Sequence, residues 1–250
     1  MPVHFLQLAQ TQSKKSLSIL NISTQKNSTY KNIWSVENNN KQKATLRIIP
    51  DLTLHLVFDL SGTMAVEPFI IYASKTFLDF EIKPATQWLG LQFNIWQGSR
   101  LIEKQEKITS TYYAQFDADW VNFIYFWLLD AKNNKMKLQD SLKALNTFKK
   151  FIDDSLNADF EKNFLALASK PDLEFGLAYS ERHQRRLFQK ITMLSPVYFK
   201  KIVRFQEIFQ QIIKNKILSW ESYYDQSHFI KDFKQFTGFT PKLFLDLFLK

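Results

Sequence analysis

The sequence predicts an α+β protein, with a β-rich, sandwich- or barrel-like N-terminal domain followed by an all-α domain. Three observations lead there. Short apolar segments broken by turn residues fill roughly the first 115 of 250 residues. After about Asp117 the apolar residues recur at three- and four-residue steps instead. Near the C-terminus a 27-residue pattern occurs twice, at an offset of 45.

In chain order, Asn38-Asn39-Asn40-Lys41 reads as a polar loop or hairpin tip. Strands are expected at Leu46–Ile49, Leu52–Phe58, Phe69–Tyr72 and Leu89–Ile95, where β-branched and aromatic residues concentrate. In and after the second of these, Thr53, His55 and Asp59 interleave with Leu54, Leu56, Val57 and Phe58. Pro50-Asp51, Ser61-Gly62, Pro68, Pro84 and Gly98-Ser99 separate the segments. Several short strands at such spacing fit a small sandwich or barrel. Val121–Leu129 is the most apolar stretch, and its nine residues fall short of the ~20 that a membrane-spanning helix needs. A buried helix or strand is expected there. Val121–Ala131 and Lys135–Phe151 have helical spacing, with Leu138, Leu142, Leu145, Phe148 and Ile152 on one stripe. The domain boundary is expected between Asn133 and Asp159. That gives a β-rich domain over 1–133, a helical linker over 134–157 and an all-α domain over 158–250.

Composition narrows the chemistry. Without cysteine there is no disulfide, Cys-based zinc site or Cys nucleophile. His4, His55, His183 and His228 show no metal-ligand spacing, and the five glycines form no phosphate-binding loop. Asp153-Asp154 and Asp117/Asp119 read as a helix face and a cap. The chain is therefore expected not to be an enzyme and to need no cofactor or metal. Met1–Gln10 lacks the pattern of a secretory signal, so a cytoplasmic location is expected, with no membrane partner. The net charge is +9, and from Glu181 onward there are 13 Lys/Arg against 6 Asp/Glu. A basic segment of this kind fits a polyanionic partner.

The two repeat copies are Leu173–Phe199 and Leu218–Phe244. They share Leu173/Leu218, Tyr179/Tyr224, His183/His228, Phe188/Phe233, Thr192/Thr237, Pro196/Pro241 and Phe199/Phe244. In each copy a capping residue, Ser180 or Asp225, precedes a helix expected over Glu181–Ile191 or Gln226–Phe236. Leu187, Phe188 and Ile191 form the inner stripe of the first; Phe229, Phe233 and Phe236 form that of the second. Gly238 suits a left-handed stop, for which Met193 is the poorer residue. Ser195-Pro196 and Thr240-Pro241 open the next helix, with proline where the missing N–H costs nothing. The outer faces carry Arg182, Arg185, Arg186 and Gln189 in one copy, and Gln226, Ser227, Lys231 and Lys234 in the other. Polar, cationic faces of this kind suit the DNA major groove, or are ordinary solvated faces.

The stretch SYYDQSHFIKDFKQFTGFTPKLF, Ser222–Phe244, closely resembles the C-terminal signature of AraC/XylS-type transcription regulators. SERHQRRLFQKITMLSPVYFKKIVRFQ resembles the first helix-turn-helix of one subgroup and the linking helix after it. The likeness covers about Asp159–Leu247. More weakly, Trp34-Ser35-Val36, Ile49-Pro50-Asp51, Leu54-His55-Leu56-Val57-Phe58 and Gly90-Leu91-Gln92-Phe93 resemble the β-rich domain that precedes this unit in the subgroup. In the family such domains sense effectors or mediate dimers.

The resemblance implies two helix-turn-helix units and sequence-specific regulation of transcription, as activator or repressor. It implies double-stranded DNA as partner, with RNA polymerase, a small-molecule effector and a second copy as further candidates. Carried over by position, the DNA-binding residues are Arg182, Arg185, Arg186 and Gln189 on the first recognition helix. On the second they are Gln226, Ser227, Ile230, Lys231 and Lys234, with Ile230 facing a thymine methyl or packing inward. Lys200, Lys201 and Arg204 are phosphate-contact candidates on the following helix. His183 and His228 are expected to be structural hydrogen-bonding residues. Some repair proteins join this unit to alkyl transfer on cysteine, which this chain lacks. One departure is plain: the family's units stand about fifty residues apart, against 45 here. The shortage lies between Gln211 and Tyr223, where the second unit's positioning helix should be, and the first unit is similarly short, since Asp172–Ala178 cannot supply both that helix and a turn. A degenerate relative acting as an effector-binding or protein-interaction module is the alternative.

Overall fold

Antiparallel strands build the N-terminal part. In the computed structural model the described residues are 5–8, 17–23, 30–62, 68–95, 113–115, 124–130 and 180–249. The strands are β1 (Phe5–Leu8), β2 (Ser18–Ser23), β3 (Tyr30–Glu37), β4 (Ala44–Ile48), β5 (Thr53–Asp59), β6 (Phe69–Ile71), β7 (Leu78–Ile82), β8 (Gln87–Asn94) and β9 (Tyr113–Gln115). They form two sheets, β1-β4-β7 and β2-β3-β8-β5-β6-β9, with every pair antiparallel. The helices are α1 over 124–130, then α2 (Glu181–Thr192), α3 (Pro196–Asn215), α4 (Gln226–Thr237) and α5 (Pro241–Phe248). The expected strands at 46–49, 52–58, 69–72 and 89–95 correspond to β4, β5, β6 and β8. Val121–Leu129 resolves as helix where it is described. The stripe over 135–152 and the domain boundary lie outside the described residues.

Each face of the six-stranded sheet has its own core. Trp34, Val36, Val57, Phe69 and Trp88 meet Leu46, Ile48 and Ile82 of the smaller sheet. On the opposite face Ile33, Leu54, Leu56, Phe58, Leu91 and Phe93 pack against Ile124, Tyr125 and Leu128 of α1. Tyr125 stacks on Phe58 and donates its hydroxyl to the Asp59 carbonyl at 3.0 Å. The close approach of β3 to β8 depends on Gly90, where a Cβ would overlap the Trp34 indole.

The expected polar loop lies between β3 and β4, with Asn39 and Lys41 exposed, but Asn38 itself is turned inward. It is buried, and its amide donates to the Ile82 and Gln42 carbonyls at 2.8 and 3.0 Å as the chain crosses from one sheet to the other. Thr53 and His55 of β5 are buried as well. They point between the sheets with Asn32, Asp51 and Gln92, all of them buried.

This polar cluster is internally satisfied, as buried polar groups must be. Trp34 Nε1 donates to His55 Nδ1 at 3.1 Å, and indole can only donate, so the ring proton sits on Nε2. That nitrogen faces Thr53 Oγ1 at 3.1 Å. The Thr53 amide and hydroxyl donate to Asp51 Oδ1 at 3.0 and 2.5 Å. Gln92 Nε2 donates to Asp51 Oδ2 and Thr53 Oγ1, each at 3.0 Å, and Gln92 Oε1 accepts from Asn32. Burial alone would push the Asp51 carboxyl up. The ring of His55 and the hydroxyl and amide of Thr53 outweigh it and hold the group below the ordinary carboxylate range.

The helical part has a phenylalanine core. Phe188, Phe199, Phe205, Phe209, Phe229, Phe233, Phe236 and Phe244 are buried together, many in edge-on contact. Ile49, Ala73 and Ile95 of the β-rich part belong to the same cluster, so the two parts share apolar surface.

Candidate nucleic-acid interface

The repeat is reproduced in three dimensions. Helices α2 and α4 both have 12 residues, and each runs one residue beyond its expected end. Asp225 caps α4 by accepting the His228 amide at 2.8 Å. Ser180 has the extended backbone of an N-cap but makes no side-chain cap bond, so that expectation holds only in part. Both helices end in a left-handed residue, Met193 (φ 57°) and Gly238 (φ 82°). Met193 therefore serves as a stop although it lacks the conformational freedom of glycine.

The reason lies in a threonine common to both copies. The Thr192 hydroxyl lies 2.8 Å from the Phe188 carbonyl and 2.9 Å from the Leu194 carbonyl, and accepts the Leu194 amide at 3.2 Å. Thr237 repeats the pattern with Phe233 and Phe239 at 2.7, 3.1 and 3.1 Å. Both threonines are fully buried. Ser195 and Thr240 then cap α3 and α5 by accepting the Tyr198 and Leu243 amides, each at 3.4 Å, ahead of the prolines. The corner is thus held by a side-chain oxygen and does not depend on glycine.

Helical geometry sorts the sequence-selected residues. Arg182, Arg185, Arg186 and Gln189 are exposed on α2, opposite buried Phe188 and Thr192. On α4, Gln226, Ser227, Lys231 and Lys234 are exposed, and Ile230 is 37% exposed. Lys200 is exposed on α3.

Lys201 and Arg204 of α3 both face one carboxylate. Asp232 of α4 is completely buried, and Lys201 Nζ and Arg204 Nη2 of α3 reach its carboxylate at 3.1 and 3.4 Å. His228 Nε2 stands 3.7 Å away, and its ring meets Tyr223 edge-on at 5.5 Å. The Arg204 guanidinium also lies over the Tyr223 ring at 4.2 Å. Burial, and then the negative charge of Asp232, push the Tyr223 hydroxyl up to about 12, against the opposing pull of Arg204. This cluster ties α3 to α4. The spacing of Asp232 from Phe229, Phe233 and Phe236 puts it on the inner stripe, where a carboxylate requires cationic partners.

The approach to α4 is not helical. Residues 216–225 form a left-handed stop at Lys216 (φ 57°) followed by turns. Tyr223 is buried there and Trp220 stacks on Phe229 at 6.4 Å, while Tyr224 is 96% exposed. The second copy thus lacks a separate positioning helix between α3 and α4. The matching approach to α2 lies outside the described residues.

Among the described residues no three His, Asp or Glu are placed to hold a metal ion, and no helix is long and apolar enough to cross a membrane. No family model and no curated protein matches the chain. Among solved structures the chain is similar to "Crystal Structure of ToxT from Vibrio Cholerae O395", at 10% identity and a TM-score of 0.37, over 94% of this chain and 99% of that one. A likeness that loose carries no argument.

Proposed function

We propose that the chain is a sequence-specific, duplex-DNA-binding transcription regulator of AraC/XylS type, with α2 and α4 as its two recognition helices. The observation that carries this reading is the repeated corner. Two helices of equal length, each stopped by the same threonine arrangement, expose polar and cationic faces in the most basic third of the chain. In this reading Arg182, Arg185, Arg186 and Gln189 face one major groove, and Gln226, Ser227, Ile230, Lys231 and Lys234 the next. Lys200 contacts phosphate. Lys201 and Arg204 brace α4 through Asp232 and add positive potential to the surface behind it. Residues 1–133 act as the sensor or dimerisation domain, 134–157 as linker and 158–250 as the DNA-binding domain. An effector, a second copy and RNA polymerase are its further partners, in the cytoplasm.

The test is retention of a random duplex pool at two salt concentrations, followed by sequencing. An enriched motif with two half-elements about one helical turn apart supports the reading. The double variant Arg185→Ala/Arg186→Ala should bind more weakly and flatten the salt dependence by about two counterions. An unchanged dissociation constant would sink the role of α2. The non-helical stretch 216–225 favours a second reading, an effector-binding or protein-interaction module without specific DNA binding. Retention lost at moderate salt with no motif would select it.

A further inference from the structure

We infer that Arg47, a residue of the β-rich part, is a positioning residue for α4, so that the β4–β7 pair sets the pose of the second DNA-facing helix. The inference rests on the proposed DNA-binding role of that helix.

The last carbonyls of a helix lack partners within it, and a cation there also complements the helix dipole. At α4 the β-rich part supplies both. Arg47 Nη1 donates to the Thr237 carbonyl at 3.0 Å, across 190 residues of sequence. Thr76 Oγ1 donates to the Gln235 carbonyl at 2.8 Å, and Gln235 Nε2 returns a bond to the Lys75 carbonyl at 3.0 Å. Arg47 does not reach over as a loose side chain. Asp79 of β7 holds its Nε and Nη2 in a fork at 2.7 and 2.6 Å. Phe77 lies 3.6 Å from the guanidinium carbon, and Phe239, just past the α4 corner, lies 5.3 Å away.

The residue choice at the corner is an independent sign. Met193 shows that a side chain is compatible with the left-handed stop of this repeat. At Gly238 a Cβ would overlap the Arg47 guanidinium, so glycine there answers to Arg47 as well as to the turn. Behind this contact, Gln206 of α3 donates to the Pro50 carbonyl at 2.5 Å, and Lys75 Nζ lies 5.2 Å from the Tyr198 ring. The α3–α4 pair, already joined through Asp232, is thereby seated on the sandwich at the end where α4 stops.

The test compares full-length wild type with Arg47→Met, which keeps the stem and loses the fork, Arg47→Lys, which keeps only the charge, and the surface variant Asp79→Ala. Hydrogen exchange on the free proteins should rise about tenfold over 235–240 in Arg47→Met, less in Arg47→Lys and Asp79→Ala, with α3 unchanged. Equal exchange in Arg47→Met and wild type overturns the inference. So does an increase spread evenly over α3 and α4, which would make Arg47 a general packing residue. On the duplex retained from the random pool, Arg47→Met should lose about tenfold in affinity. When the half-element read by α4 is scrambled, wild type should fall to the level of the variant. Equal affinity on the intact duplex overturns the positioning role. If wild type retains no duplex, the DNA-binding reading fails, and the positioning role that rests on it fails with it. The exchange experiment then still decides whether Arg47 holds α4.

Discussion

Asp232→Asn should destabilise the protein while strengthening its non-specific attraction to duplex DNA. The substitution removes one negative charge from a completely buried position and leaves Lys201 and Arg204 facing each other across it. At 3.1 Å a unit charge pair is worth about 5 kcal/mol at an effective dielectric of 20, and about 1 kcal/mol in bulk water. The two cationic side chains are 28% and 30% exposed, which places the pairs between these limits. Relief of the carboxylate's own desolvation offsets part of the loss, leaving about 2–3 kcal/mol. Urea unfolding followed by far-UV circular dichroism should show this as a midpoint lowered by roughly 1 M, for a slope near 3 kcal/mol/M. The released cations gain access to phosphates, so the slope of log K against log salt should steepen by up to about two. An unchanged midpoint together with an unchanged salt slope would falsify the bracing role given to Asp232.

The other expectations concern turns, packing and titration. Met193→Gly should stabilise by about 1 kcal/mol in the same urea experiment, because glycine occupies the left-handed region without penalty. Gly90→Ala should cost about 3 kcal/mol, since the Trp34 indole must shift and its bond to His55 Nδ1 is lost with it; a midpoint equal to wild type would contradict that packing. Alkaline absorbance titration should find Tyr72 and Tyr223 ionising near 12, and Tyr223→Phe should remove one of these late groups. Because both pKa values are raised on folding, the stability they contribute is complete below pH 10 and disappears as pH climbs through about 12. Asp51 has the opposite sign. Its lowered pKa contributes stability above the ordinary value of 3.8 that is lost on further acidification, so Asp51→Asn should flatten the acid limb of a stability–pH curve.

The helical part was more legible in the sequence than the β-rich part, and the reasons are physical. Caps, prolines and the inner stripes of α2 and α4 are local signals, and the repeat states them twice. The strands found were those with apolar runs. The strand β3 escaped because both its faces are buried and its inner face carries Asn32 beside Trp34, which erases alternation. The outer residues of the two repeat helices followed from spacing alone. What spacing could not reveal was the partner of Lys201 and Arg204. Only the packing of α3 on α4 brings Asp232 to them. Arg47 gave no signal at all, because its partners Asp79 and Thr237 come from separate parts of the chain.

The threonine corners also bear on the order in which the molecule assembles. Each closes within the short spans Phe188–Leu194 and Phe233–Phe239, so its formation involves little loop-closure entropy and belongs to the fast, local events of folding. The sandwich is the reverse case, with pairings such as Phe5 with Ile48 and Trp34 with Gly90 that must close long intervening segments. The C-terminal helices can thus reach native local structure while the sheets are still searching for register. The Arg47 contact, spanning 190 of the 250 residues, is then among the last to form.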